Sequence, residues 1–145
     1  MTELRESLEL CNECGACLDV CPTYKVTQNE AFSPIGRIKA AREILGGGEV
    51  TSQMVESIYN CPECGLCNSV CPQYIDVLTV VSESRVELVK RGLGPLEAHN
   101  KIIEGIQRLG NSVNGDPARR LDWLPGEFPR RESDTLFFVA CLPSY

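Results

Sequence analysis

The residues best able to do chemistry in this chain are its cysteines, nine among 145 residues. Eight of them fall in two runs, CNECGACLDVCPTY from Cys11 to Tyr24 and CPECGLCNSVCPQY from Cys61 to Tyr74. Laid over one another, the runs agree at the four cysteines, the Glu, the Gly, the Val, the Pro and the closing Tyr. Each is C-x2-C-x2-C-x3-C-P, so one ligand-bearing unit occurs twice. Thiolates at this density select soft transition metals and iron–sulfur clusters.

The pattern within each run narrows the metal. An all-cysteine zinc site is normally built from two C-x2-C pairs, and mixed sites add histidine. Here each run is a triplet plus one, and the single histidine, His99, lies far from both. C-x2-C-x2-C-x3-C-P is the run used by bacterial two-cluster ferredoxins, which predicts two [4Fe–4S] clusters. Three thiolates two residues apart can wrap one corner of a cube. The fourth lies about one helical turn further on and points to the other cluster. The expected sets are therefore Cys11, Cys14, Cys17 and Cys71 for the first cluster, and Cys61, Cys64, Cys67 and Cys21 for the second. Gly15 and Gly65 sit inside the wrapping loops, where backbone N–H groups approach cluster sulfur. Pro22 and Pro72 fix the chain direction after each fourth ligand. Tyr24 and Tyr74 are expected to shield the clusters from water.

A disulfide framework is the rival account of so many cysteines, and it requires a secreted protein. Residues Met1 to Leu10 carry three glutamates and one arginine, unlike a signal sequence or a twin-arginine leader. The longest apolar run, Leu136 to Leu142, is too short to span a bilayer. The expectation is a cytoplasmic protein with no membrane span. Its net charge of −6 and pI of about 4.8 disfavour nucleic acid and anionic lipid as partners. The same charge suits a basic docking face on a partner protein.

Elements must position these cysteines, and helices are expected to do so. Ser33 caps a helix with Pro34 at its first position, and IGRIKAAREIL places Ile35, Ile38 and Leu45 on one face before Gly46, Gly47 and Gly48. A helix from about Ser52 to Tyr59 delivers the chain to Cys61. Asp76 to Lys90 reads as an amphipathic helix with Val77, Leu78, Val81, Leu88 and Val89 on one side. Pro95 to Leu109 reads as another, with Leu96, Ile102, Ile103, Ile106 and Leu109 together. Residues 114–134, with Pro117, Pro125 and Pro129, read as an extended connector. Leu136 to Leu142, LFFVACL, reads as a strand that must find its ladder partner elsewhere. The fold class is all-α, a helical domain over residues 1–113 wrapped around two clusters, with a C-terminal β-strand stub in 135–145.

Four other side-chain features have competing readings. Cys141 is either a small buried strand residue or a ligand completed in trans. His99 lies on the apolar face of its helix and reads as a hydrogen-bonded core histidine. Arg85 projects into an apolar arc, where it snorkels to solvent or donates to cluster sulfur. Arg37, Lys39 and Arg42 read as a solvated basic face.

The duplicated motif with its long helical insert resembles the α-helical ferredoxin domain of heterodisulfide reductase iron–sulfur subunits. The same domain occurs in the iron–sulfur subunits of lactate, glycolate and glycerol-3-phosphate dehydrogenases. SPIGRI from Ser33 to Ile38, GDPARRLDWLP from Gly115 to Pro125 and LFFVACLPSY from Leu136 carry the likeness alongside the cysteines. It implies electron transfer within an oxidoreductase, first of heterodisulfide reductase type. The alternative is a subunit of one of those dehydrogenases. The implied partners are a flavin- or iron–sulfur-containing electron donor and a CCG-domain catalytic subunit. Cys141 would then begin a CCG motif whose other cysteines this sequence does not contain. No substrate-level catalysis is expected of this chain alone. Two other classes are a non-redox module stapled by metal and a redox sensor. The acidic balance disfavours the sensor, which needs a nucleic-acid surface.

Overall fold

The computed structural model describes residues 2–126 and 132–145, so Pro129 of the expected connector lies outside the described residues. Among these residues the regular structure is helical, and no strand occurs. The chain divides into two compact units, residues 1–95 and 96–145.

The first unit carries both cysteine runs. After α1 (Thr2–Glu9), the first run leads into α2 (Pro22–Thr27), which has Pro22 at its first position. A short 3-10 turn (Glu30–Phe32) then delivers the chain to α3 (Pro34–Gly46). The cap expected at Ser33 is present: its hydroxyl accepts from the Gly36 N–H at 3.0 Å, and Gly47 ends the helix at φ 87°. Helix α4 (Ser52–Tyr59) is capped by Thr51 and runs straight to Cys61. The second run contains α5 (Leu66–Val70), and α6 (Val77–Lys90) follows under an Asp76 cap.

Helices α3 and α6 form the most extensive packing in the unit. Eight of the thirteen residues of α3 are buried, Ile35, Ile38, Ile44 and Leu45 among them, so it is covered almost all round. From α6 come Val77, Val80, Val81 and Leu88, and from α4 Val55 and Ile58. Burial of each such aliphatic side chain is worth about 1.5–3 kcal/mol. The C-terminal carbonyls of α3 are met by cations, as the helix dipole favours. Arg91 donates to the carbonyls of Ile44 and Gly48, and Arg5 to that of Leu45.

The second unit contains α7 (Glu97–Leu109), a 3-10 turn (Pro117–Arg119) and a last helical turn, α8 (Cys141–Ser144). Gly110 ends α7 at φ 68°. Asn111 is buried and pins the following turn, donating to the Gly115 carbonyl at 2.9 Å and accepting from its N–H at 2.9 Å. The expected apolar face of α7 is real in sequence, but Ile102, Ile103 and Ile106 are exposed.

The strand expected at Leu136 to Leu142 is not found. Residues 135–140 have no ladder, and Cys141 opens α8 instead. A strand exists only by pairing, and the described residues offer no sheet edge to pair with.

Candidate iron–sulfur centres

Each cysteine run bends back on itself through left-handed residues. Glu13 and Gly15 have φ of 56° and 84° in the first run, and Glu63 and Gly65 have φ of 50° and 76° in the second. Such alternation makes the concave backbone that binds anions. A Cβ added at Gly15 or Gly65 would lie nearest to leucine methyls, at 3.9 and 3.6 Å respectively. The left-handed backbone, more than protein crowding, is therefore what asks for glycine there.

A left-handed glutamate is strained, and both are held by cations on the helices behind them. Glu13 pairs with Lys39 of α3 at 2.9 Å, and Glu63 with Arg85 of α6 at 2.9 Å. Lys39 also reaches Glu30 at 2.7 Å, while Glu63 accepts from the Ser82 hydroxyl at 2.9 Å. Arg85 donates further to the carbonyls of Ile58 at 3.1 Å and Cys61 at 2.7 Å. Of its two expected roles, snorkelling or donation to sulfur, it takes neither. It ties the end of α4 to the start of the second run.

The unit contains two cavities lined by thiols. One encloses about 380 Å3 of space, partly open to solvent, between Cys11, Cys14, Cys17, Cys67 and Cys71 and the apolar walls of Ile35, Ile38, Ile75 and Val77. The other encloses about 340 Å3 on the same measure, and Cys21, Cys61, Cys64 and Cys67 line it with Arg37, Val77 and Leu78. Cys71 thus faces the cavity of the first run and Cys21 that of the second. Among the thiols only Cys67 touches both. None of the nine cysteines forms a disulfide. Among the described residues no three Cys, His, Asp or Glu side chains converge on a single ion site. Five thiols line the first cavity and four the second, Cys67 being shared, beside largely apolar walls, a donor set that fits an iron–sulfur cluster in each.

Burial acts strongly on these thiols. It pushes Cys17 up to about 11, helped by the neighbouring sulfurs of Cys11, Cys14 and Cys71. It pushes Cys67 up to about 11 as well, with Cys61 and Cys17 adding to the effect. Cys21 differs. Burial raises it, but the Thr23 hydroxyl, the Tyr24 backbone and the Arg37 guanidinium together bring it below the ordinary thiol value.

Arg37 is the cavity-lining residue that sequence reasoning misplaces. The sequence puts it on a solvated basic face with Lys39 and Arg42, yet it is 1% exposed. Its guanidinium donates to the Ser57 carbonyl at 2.9 Å, to Thr23 Oγ1 at 2.8 Å and to Cys21 Sγ at 3.7 Å. Arg42 is also turned inward, donating to the Leu8 carbonyl at 2.7 Å. Helical spacing does not signal this, because Arg37 lies off the Ile35 and Ile38 face and is buried only because α3 is covered on most sides. Tyr74 is corrected too, since at 91% exposure it shields nothing. His99 is half-buried.

Residues 7–75 match the model of the 4Fe-4S dicluster domain. A curated relative, one of the subunits of the dihydromethanophenazine:CoB–CoM heterodisulfide reductase of Methanosarcina mazei, is 27% identical over 95% of this chain. The glycolate oxidase iron–sulfur subunit of Escherichia coli is 43% identical over 30% of the chain. The alignments span only 38% and 11% of the lengths of those two relatives. No solved structure matches significantly. No helix among the described residues is long and apolar enough to cross a membrane. The chain is similar to iron–sulfur subunits of oxidoreductases, and its residues 7–75 carry the match to the 4Fe-4S dicluster domain.

Proposed function

We propose that the chain is an electron-relay module holding two [4Fe–4S] clusters, one on Cys11, Cys14, Cys17 and Cys71 and one on Cys61, Cys64, Cys67 and Cys21. The observation that carries this is the exchange of fourth cysteines: each lines the cavity of the other run. When bound, each cluster supplies a one-electron carrier. The chain's own residues hold the thiolates on left-handed loops, wall them with Ile35, Ile38, Ile75 and Val77, and lock the loops through Lys39 and Arg85.

The partners on this reading are a flavin- or iron–sulfur-containing donor and a CCG-type catalytic subunit, in a cytoplasmic complex of heterodisulfide reductase type. The relative named for that activity, aligned along nearly the whole chain, supports this order of preference. An iron–sulfur subunit of a glycolate, lactate or glycerol-3-phosphate dehydrogenase is the second reading, favoured by the higher local identity to a glycolate oxidase subunit. The segment 135–145 supports a partner surface. Leu136, Phe137, Phe138 and Leu142 are all more than three-quarters exposed, a patch that invites burial.

The test is reduction of anaerobically purified protein by dithionite. Broad visible absorption that bleaches, with paramagnetic signals from the reduced protein, is the expected result. A colourless protein carrying zinc would contradict the relay.

A further inference from the structure

Both cavities are walled by thiols, but they differ in charge. The cavity of Cys11, Cys14, Cys17 and Cys71 has no cationic side chain in its lining. That of Cys61, Cys64, Cys67 and Cys21 has the Arg37 guanidinium. Both helices behind the cavities start from a cap, Ser33 for α3 and Asp76 for α6, and Arg37 is the fourth residue after its cap. The fourth residue after Asp76 is Val80, fully buried and apolar. At the same step from its cap, one helix thus carries a cation and the other a hydrocarbon.

A buried guanidinium ordinarily needs a carboxylate, because an unpaired buried charge is costly. The ion pairs among the described residues engage Lys39, Arg42, Arg85, Lys90, Arg91 and Arg119, and Arg37 is in none of them. Its hydrogen bonds go to a carbonyl, a hydroxyl and the Cys21 sulfur. Of these three partners only the sulfur can carry negative charge, as a thiolate and through whatever that thiolate holds. Hydrogen bonds to ligand sulfur and positive charge beside a cluster both favour the reduced, more negative state.

On the two-cluster reading above, we propose that Arg37 sets the site of Cys61, Cys64, Cys67 and Cys21 at a higher reduction potential than its twin. The first electron to enter the chain then rests on that site. Arg37 acts through Cys21, as a positioning and charge-balancing residue, and makes the two halves of a duplicated motif unequal.

The experiment is a redox titration of the whole iron-loaded protein, followed by electron paramagnetic resonance, for wild type, Arg37→Gln and Arg37→Lys. The signal belonging to the second site is identified as the one that Cys21→Ser perturbs. Arg37→Gln is expected to lower that midpoint alone, shifting occupancy about tenfold, or about 59 mV for a one-electron couple. Arg37→Lys, which keeps the charge and loses the planar fork, should shift the same signal less. If Arg37→Gln fails to hold iron, the lysine variant decides: a lowered midpoint at that site supports the proposal, and an unchanged one overturns it. Equal movement of both midpoints, or none, also overturns it. Wild-type protein with one reducible centre or none would instead count against the two-cluster reading itself.

Discussion

Arg85 clasps Glu63 at 2.9 Å while the same guanidinium donates to the Cys61 carbonyl at 2.7 Å. One side chain of α6 therefore fixes both the strained glutamate and the first cysteine of the second run. Charge-assisted hydrogen bonds of this kind are worth about 1.5–3 kcal/mol each where partly buried. Arg85→Met should speed iron loss to a chelator from the site of Cys61 and spare the other. Arg85→Lys should fall between, because it can keep the Glu63 pair but not the fork on the carbonyls. Equal loss from both sites would contradict the assignment.

Gly36 lies where α3 crosses the 3-10 turn before it. A Cβ there would collide with the Glu30 carbonyl oxygen and stand 2.8 Å from Ala31 backbone atoms. Backbone cannot step aside as a side chain can, so Gly36→Ala is expected to cost about 1–3 kcal/mol. A thermal melt should show a drop of several degrees. An unchanged melting temperature would mean that the turn and helix are not so closely apposed.

Asp76 caps α6, accepting from the Thr79 hydroxyl at 2.7 Å, the Asn68 amide at 2.7 Å and the Thr79 N–H at 3.2 Å. Those bonds, the Thr79 hydroxyl first, hold its carboxyl below the usual value. A depressed folded value means that the stabilisation is full above the ordinary carboxylate range. It is lost as pH falls through the depressed value. Wild type should therefore exceed Asp76→Asn in stability near neutrality, with the gap closing below about pH 4. Denaturation at a series of pH values checks this; a gap that widens on acidification would contradict it.

Caps and stops are the most legible part of the fold. Ser33 with Pro34, Ser52 to Tyr59, and Asp76 to Lys90 announce α3, α4 and α6 because capping chemistry is local. Helices α1, α2 and α5 are not announced in this way, since the last two lie in or beside cysteine runs whose pattern hides helical periodicity. Arg37 misleads because α3 is covered on most sides, and such a helix buries polar residues too. LFFVACL shows that it wants burial but not against what, so its pattern predicts a strand where Leu136 to Ala140 in fact lie unladdered. The expected cysteine sets come from spacing alone, which separates each fourth cysteine from its own triplet.

That grouping yields a variant test. Cys21→Ser should disturb the centre of Cys61, Cys64 and Cys67, and Cys71→Ser the centre of Cys11, Cys14 and Cys17, because the fourth cysteines line those cavities. Paramagnetic spectra of each reduced variant would report which centre changed. Disturbance of the centre in the mutated residue's own run would reverse the assignment.

Iron and acid-labile sulfide analysis of anaerobically purified protein bears most directly on the relay. Two four-iron cubes require about eight iron and eight sulfide per chain. A value near four of each, with all eight cysteines intact, would contradict two clusters, and about two zinc per chain would contradict the electron-transfer function altogether.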